Sequence, residues 1–265
     1  MLTPLRVAVL CSHRAPGLMH LLNADPDRGR TFDIVCCVTS ESTFDEEVRV
    51  ERRGVPTRAH GIRAFYDARR ATIAGAPGVR AAFDADTARL LRPFSPDLVL
   101  LAGYLYVLSE PMLSAFPRRI LNLHFADLTL RTPDGEPGFP GIRAVRDALA
   151  AGCTETRATV HLVDAAVDSG PPLVRSWPFP VSPMVEEAQA WTATDLIRAY
   201  TFAHEQWMMR ACAGPLWSAA LQLVTAKAID LDGLGLDPSQ VPWELSRRGA
   251  LMAPVAAPRA LALAR

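Results

Sequence analysis

Asn122 and His124 stand two residues apart at the end of the apolar run Arg119-Ile120-Leu121-Asn122-Leu123-His124-Phe125-Ala126-Asp127. In an extended strand residues i and i+2 share a face, so the carboxamide and the imidazole point into one space. The first donates hydrogen bonds and the second exchanges a proton near neutral pH. At the carboxyl end of a strand, where an open α/β sheet forms its crevice, the two make a candidate catalytic couple. The plainer reading is a buried Asn and His with satisfied hydrogen bonds, and the surrounding elements decide between the two.

Those elements read as alternating strands and helices. Leu5 to Cys11 is a short apolar run, read as a first, central strand, and Pro16-Gly17 opens a helix over Leu18 to Asn23. Phe32 to Thr39 is a second strand. Ser42 heads a charged helix reaching about Arg53, and Gly54-Val55-Pro56-Thr57 ends it and begins a short strand. Helical spacing runs from Arg80 to Leu91 and stops at Pro93 and Pro96. A buried strand Leu98 to Ala102 and a helix Glu110 to Phe116 bring the chain to the strand Ile120 to His124. The alternation implies an α/β fold, a doubly wound and mostly parallel sheet covered by helices on both faces.

Beyond His124 comes a long loop, Phe125 to Pro140, then a helix Ile142 to Ala151 and a strand Ala158 to Val163. Val167-Asp168-Ser169-Gly170-Pro171 reads as a tight turn, and Leu173 to Val181 as one further strand, antiparallel to its predecessor. Thr192 to Cys212 reads as one long amphipathic helix over the sheet. The remainder past Lys227 reads as loop-like, so the chain divides into residues 1–225 and a tail of residues 226–265.

Composition narrows the function. In 265 residues, 28 Lys+Arg balance 28 Asp+Glu and lie scattered, which argues against nucleic acid or an anionic membrane as partner. Five cysteines without a CxxC pair fit free thiols in a reducing compartment and call for no metal. The start is too short and broken for a signal peptide, and no apolar run reaches the ~18 residues of a membrane helix. The expectation is a cytoplasmic protein.

Four segments in order, LVLLAGYLYVLS, ILNLHFADL, FPGIRAVRDAL and TVHLVDAAVDSGPPL, resemble the folate-dependent formyltransferases, closest to the glycinamide ribonucleotide formyltransferase family. The likeness runs from about Leu5 into the long helix and is densest from Leu98 to Leu173. It implies a Rossmann-like N-terminal half, residues 1–225 as the catalytic domain, and 10-formyltetrahydrofolate as co-substrate. The partner is then a small-molecule amine acceptor; the oligomeric state stays open, with a homodimer one option.

The resemblance also implies a site. Asn122, His124 and Asp168 match its catalytic residues: the amide and an imidazolium stabilise the oxyanion of the tetrahedral intermediate, while Asp168 keeps His124 charged and relays the amine's proton. Asp168 is otherwise an ordinary turn residue. His161 is either near the site or a core histidine. Leu105, Tyr106, Val107 and Leu108 match one wall of the pterin pocket, with Tyr106 where the family has Arg. Val163, Asp164, Ala165, Ala166 and Val167 match the other wall.

Two departures fall on the acceptor side. The family's Gly-rich phosphate loop is replaced by Ser12-His13-Arg14-Ala15-Pro16-Gly17, in which His13 and Arg14 either meet an anion or are solvated. The family's Pro-Ser-Leu-Leu-Pro becomes Phe125-Ala126-Asp127-Leu128-Thr129, and the next loop gains Asp134 and Glu136. Ser12, His13, Arg14 and Phe125 are the candidate acceptor residues, and the acceptor is expected to lack a phosphate. The rival readings are a hydrolase of 10-formyltetrahydrofolate and a non-catalytic folate-binding protein of this fold.

Overall fold

The computed structural model describes residues 3–232, 242–252 and 259–260. In chain order the elements are β1 (Leu5–Cys11), α1 (Leu18–Asn23), β2 (Phe32–Thr39), α2 (Glu47–Glu51), β3 (Thr57–Ala59), α3 (Ile62–Asp67), α4 (Pro77–Leu91), β4 (Leu98–Leu101), α5 (Glu110–Ala115), β5 (Ile120–His124), β6 (Leu130–Arg131), α6 (Ala144–Ala150), β7 (Glu155–Thr156), β8 (Thr159–Leu162), β9 (Pro172–Arg175), β10 (Phe179–Pro180), α7 (Met184–Ala190), α8 (Thr194–Thr225), β11 (Trp243–Leu245), β12 (Leu251–Met252) and β13 (Arg259–Ala260). Nine strands form one sheet in the order β12-β11-β9-β8-β5-β4-β1-β2-β3. The five from β5 to β3 run parallel, whereas β8 is antiparallel to both β5 and β9.

Alternation along β1 accounts for cover on both faces. Val7, Val9 and Cys11 pack with α1 and α8, while Ala8 and Leu10 pack with residues of α4 and α5. With both sides covered, β1 and β4 need apolar residues at almost every position. Each fully buried Leu or Val contributes about 1.5–3 kcal/mol. Strand order reverses between β1 and β4, and the carboxyl ends of the two strands part there to open the crevice.

Four expectations are corrected. Helix α2 begins only at Glu47, and Ser42 makes no cap hydrogen bond to it. The run from Leu173 to Val181 breaks into β9 and β10, with Pro178, which has no N–H to give a ladder, in the gap. Helix α8 continues past Cys212 through Pro215 to Thr225. Its first half is largely exposed, while Cys212, Ala213, Leu216, Trp217 and Ala219 to Leu221 are buried, so core packing rather than an amphipathic stripe carries it past the proline. Finally, the tail is not loop-like throughout: β11 adds to the sheet parallel to β9, β12 pairs with β11, and β13 pairs with β6. Two short helices, α3 and α7, lie where no helix was expected.

Candidate active site

Asn122 lies opposite His161 in the antiparallel ladder of β5 and β8, and His124 lies opposite Thr159. Directly opposed residues share a face, so Asn122 Nδ2 reaches His161 Nε2 at 3.0 Å. His161 Nδ1 is 3.0 Å from the Leu162 carbonyl, which can only accept. The network therefore assigns the His161 proton to Nδ1 and leaves Nε2 to accept from the amide. His161 is buried and lines the same cavity as Asn122 and His124.

Asp168 closes the group. Its Oδ1 accepts from Asn122 Nδ2 at 3.4 Å, its Oδ2 accepts from the Gly141 N–H at 2.7 Å, and that Oδ2 lies 3.5 Å from His124 Nδ1. Asp168 sits at φ 52, in the left-handed region that Asp tolerates better than most residues. Two residues on, a Cβ at Gly170 would stand 1.9 Å from the Leu162 carbonyl oxygen, so only glycine lets the turn return against β8. The Asp-x-Gly order thus aims the carboxylate at the two histidines.

Charge in this cluster departs from expectation. Burial is the largest influence on His124 and pushes its pKa below 6.5; the nearby Asp168 offsets this only in part. Burial thus favours the neutral ring over the imidazolium; Nε2 lies 2.8 Å from the Phe139 carbonyl, which can only accept, so in the neutral ring Nε2 carries the proton and Nδ1 is the basic nitrogen. Burial would also raise Asp168, but His161, whose Nε2 lies 3.4 Å from Oδ1 and donates when that ring is protonated, the charge on His124 when protonated and the Gly141 N–H hold its carboxyl at about 2. The result is an ionised carboxylate beside an imidazole whose burial favours the neutral form, with a carboxamide across from them.

These groups line a cavity of ≈ 240 Å³. One wall is Leu105, Tyr106, Val107 and Leu108; the other is Val163, Asp164, Ala166 and Val167, and Phe125 also faces the space. Ala165 does not line it. The first wall is held by its ends. Gly103 adopts φ +74, and a Cβ there would meet the Arg14 carbonyl oxygen at 2.6 Å. The Leu105 N–H donates to Ser12 Oγ at 3.1 Å, and Ser109 N and Oγ both donate to the buried Asp84 at 2.6 Å. Tyr106 donates to Glu41 at 3.3 Å. In the second wall, Asp164 Oδ1 accepts from Ala166 N–H at 3.1 Å and from Ser169 Oγ at 2.7 Å.

The candidate acceptor residues separate. Ser12 is fully buried, tied to Ser40 Oγ at 2.7 Å, and supports the wall instead of facing the cavity. His13 is exposed, 3.8 Å from Glu41, and lines neither cavity. Arg14 lines a second, polar cleft of ≈ 540 Å³ with Asp45, Glu46, Arg49, Gln206 and Arg210, adjoining the first at Pro16 and Met209. There its Nη1 donates to Gln206 at 3.0 Å, and Asp45 lies 3.6 Å from its Nε. The Ala15 N–H, in the loop where the resemblance implies phosphate donors, already donates to Glu46 Oε2 at 3.1 Å. Asp134 and Glu136 are exposed and line neither space.

Several site residues lay outside the sequence reading. Glu205 and Met209 of α8 line the main cavity, with Gly141 and Ile142. Burial raises the Glu205 carboxyl, with Arg14 opposing. The helical repeat put both residues on α8 but carried no sign of which way that helix turns. Among the described residues, no helix is long and apolar enough to cross a membrane.

The family described as formyl transferase matches residues 5–211. Among characterised proteins, the trifunctional purine biosynthetic protein adenosine-3 of Gallus gallus is 32% identical over 165 residues, 62% of this chain but 14% of that protein. Phosphoribosylglycinamide formyltransferase of Mycobacterium tuberculosis is 44% identical over 102 residues, 38% of this chain and 43% of that one. The match thus spans less than half the length of either relative. The solved structure of glycinamide ribonucleotide transformylase 1 from Symbiobacterium toebii superposes with a TM-score of 0.62 at 28% identity, over 87% of this chain and 92% of that one.

Proposed function

This chain belongs to the formyl transferase family, and from that premise we propose that it moves a formyl group from 10-formyltetrahydrofolate onto a small amine that carries no phosphate. The observation that carries the reading is His124 Nδ1 facing Asp168 Oδ2 at 3.5 Å, with Asn122 beside them, on the inner wall of a largely apolar cavity. Leu105, Val107, Leu108, Val163 and Val167 suit a flat heterocycle, which apolar walls with a few polar groups hold.

In the transfer the amine nitrogen adds to the formyl carbon and negative charge grows on the formyl oxygen. Collapse breaks the bond from that carbon to the folate N10, and the proton lost by the amine ends on N10. His124 Nδ1 takes the amine's proton first, and Asp168 stabilises the ring while it is charged. Asn122 Nδ2 serves the oxyanion, giving up its longest bond, the 3.4 Å one to Asp168. The amine enters beside Glu205, whose carboxylate suits an ammonium or hydroxyl groups, and the rest of the acceptor continues into the second cleft.

A hydrolase of the same chemistry would hand the formyl group to water. The polar cleft adjoining the cavity supports an organic acceptor instead, and no observation favours a non-catalytic role.

Folate binding is the first test. A folate analogue without the formyl group binds only the folded chain, so at a hundred times its Kd it should stabilise by about 2.7 kcal/mol and raise Tm. No shift at millimolar analogue would remove the donor.

The pH dependence tests the proton acceptor. With His124 active as the neutral ring and its pKa below 6.5, kcat should climb as pH rises through that pKa and then stay level past neutrality. A kcat that instead declines as pH rises from 5 to 7 would restore the imidazolium role.

A further inference from the structure

Asp127, three residues past His124, lies in a buried cluster of charge, none of which lines the cavity. Arg175 of β9 reaches Asp127 Oδ2 through Nη1 at 3.1 Å, and Arg157, two residues before β8, lies 3.7 Å from the same oxygen. Glu244 of β11 takes the other side of both guanidiniums, 2.8 Å from Arg175 Nη2 and 3.3 Å from Arg157 Nη1. Two cations are thus matched by two carboxylates, and Glu155 touches Arg157 from the exposed edge at 3.4 Å.

The cluster grips the loop that leaves the catalytic strand. Asp127 Oδ1 accepts from Thr129 N at 3.0 Å and from Thr129 Oγ1 at 2.5 Å, and Arg175 Nη1 also donates to Thr129 Oγ1 at 3.1 Å. From β8, Thr159 Oγ1 donates to the Ala126 carbonyl at 2.6 Å and accepts from Leu128 N–H at 3.2 Å. Thr159 stands opposite His124 on one side and opposite Arg175 on the other. Buried ion networks are weak sources of stability compared with apolar packing, and their attested use is to select one arrangement. Here the arrangement selected is the backbone on which His124 is mounted.

We propose that Glu244 is a positioning residue for formyl transfer. Strand β11 holds Arg175 and Arg157 onto Asp127, and Asp127 holds the loop so that His124 Nδ1 stays opposite Asp168. Without Glu244 the two arginines share one buried carboxylate, and the loop loses its fixed partner. This rests on the role given to His124 above.

The test compares the full chain with Glu244→Gln, which keeps shape and one acceptor but not charge, and with Asp127→Asn and the double variant. Glu244→Gln should lower kcat about tenfold or more, the scale of a displaced catalytic group, with the donor KM changed by less than about twofold. It should also move the His124 ring signal in NMR. The double variant should be little worse than the poorer single, as expected of residues in one network. A kcat within about twofold of the parent with an unmoved His124 signal would overturn the proposal, as would a loss of activity explained wholly by a loss of folded protein. If the parent itself transfers no formyl group, the mechanism fails, while the NMR comparison still decides the positioning role.

Discussion

His124→Ala and Asp168→Ala should each lower kcat by about a hundred- to a thousandfold, equivalent to about 2.7–4 kcal/mol of lost transition-state stabilisation. The two losses should not add, because in the proposed mechanism the carboxylate acts on the transferred proton through the ring; the double variant should fall no further than about tenfold below either single. Asn122→Ala should lose at least about a hundredfold as well, by removing the donor proposed for the oxyanion. Folate affinity should hardly change for Asn122 and His124, since their contribution strengthens only in the transition state. Steady-state kinetics with a Tm for each variant checks this, and near-normal turnover in Asn122→Ala would remove that residue from the mechanism.

The second large effect concerns the acceptor. Efficiency on glycinamide ribonucleotide should lie at least about a hundredfold below the 10⁴ M⁻¹s⁻¹ typical of enzymes on their own substrates. A phosphate needs converging N–H donors or an uncommitted cation. In this chain the Ala15 N–H is bound by the Glu46 carboxylate, Pro16 has no N–H, Arg14 is engaged by Gln206 and Asp45, and the other cations of the cleft, Arg49 and Arg210, share it with the carboxylates of Asp45 and Glu46. A phosphate would have to displace Glu46 and then remain beside it, like charge against like. Amines bearing hydroxyls instead, such as an amino sugar, meet Glu205 and Gln206 without that cost. Efficiency on the ribonucleotide at or above the typical range would show that Arg14 and its neighbours bind the phosphate after all.

How much could be read in advance differs between parts of the molecule. The strands β1, β2, β4 and β5 followed from short apolar runs, because a strand covered on both faces has no choice of residue. The short helices α3 and α7 escaped notice because too few residues repeat in either to show a period. Strand β11 was missed for a different reason: it binds the sheet edge by its backbone, which leaves little mark on side-chain type.

The site divides in the same way. Asn122 and His124 could be named from their spacing at a strand end, which is local, whereas Asp168 was singled out by the resemblance and is brought to them by the turn after β8. His161 was open between the site and the core in the sequence, and it is the antiparallel ladder that sets it opposite Asn122. Glu205 depended on the rotation of α8, and the lowered pKa of His124 on burial, both products of tertiary packing. Arg157, Arg175, Asp127 and Glu244 looked like scattered charges until the fold brought them together.

The most direct measurement follows 10-formyltetrahydrofolate and its product tetrahydrofolate by absorbance while a panel of phosphate-free amines is added to the protein, with formamide products identified by mass. The account predicts tetrahydrofolate and a formylated amine in equal amounts, formed only when an accepted amine is present. Release of tetrahydrofolate at the same rate with and without amine, accompanied by free formate, would contradict it.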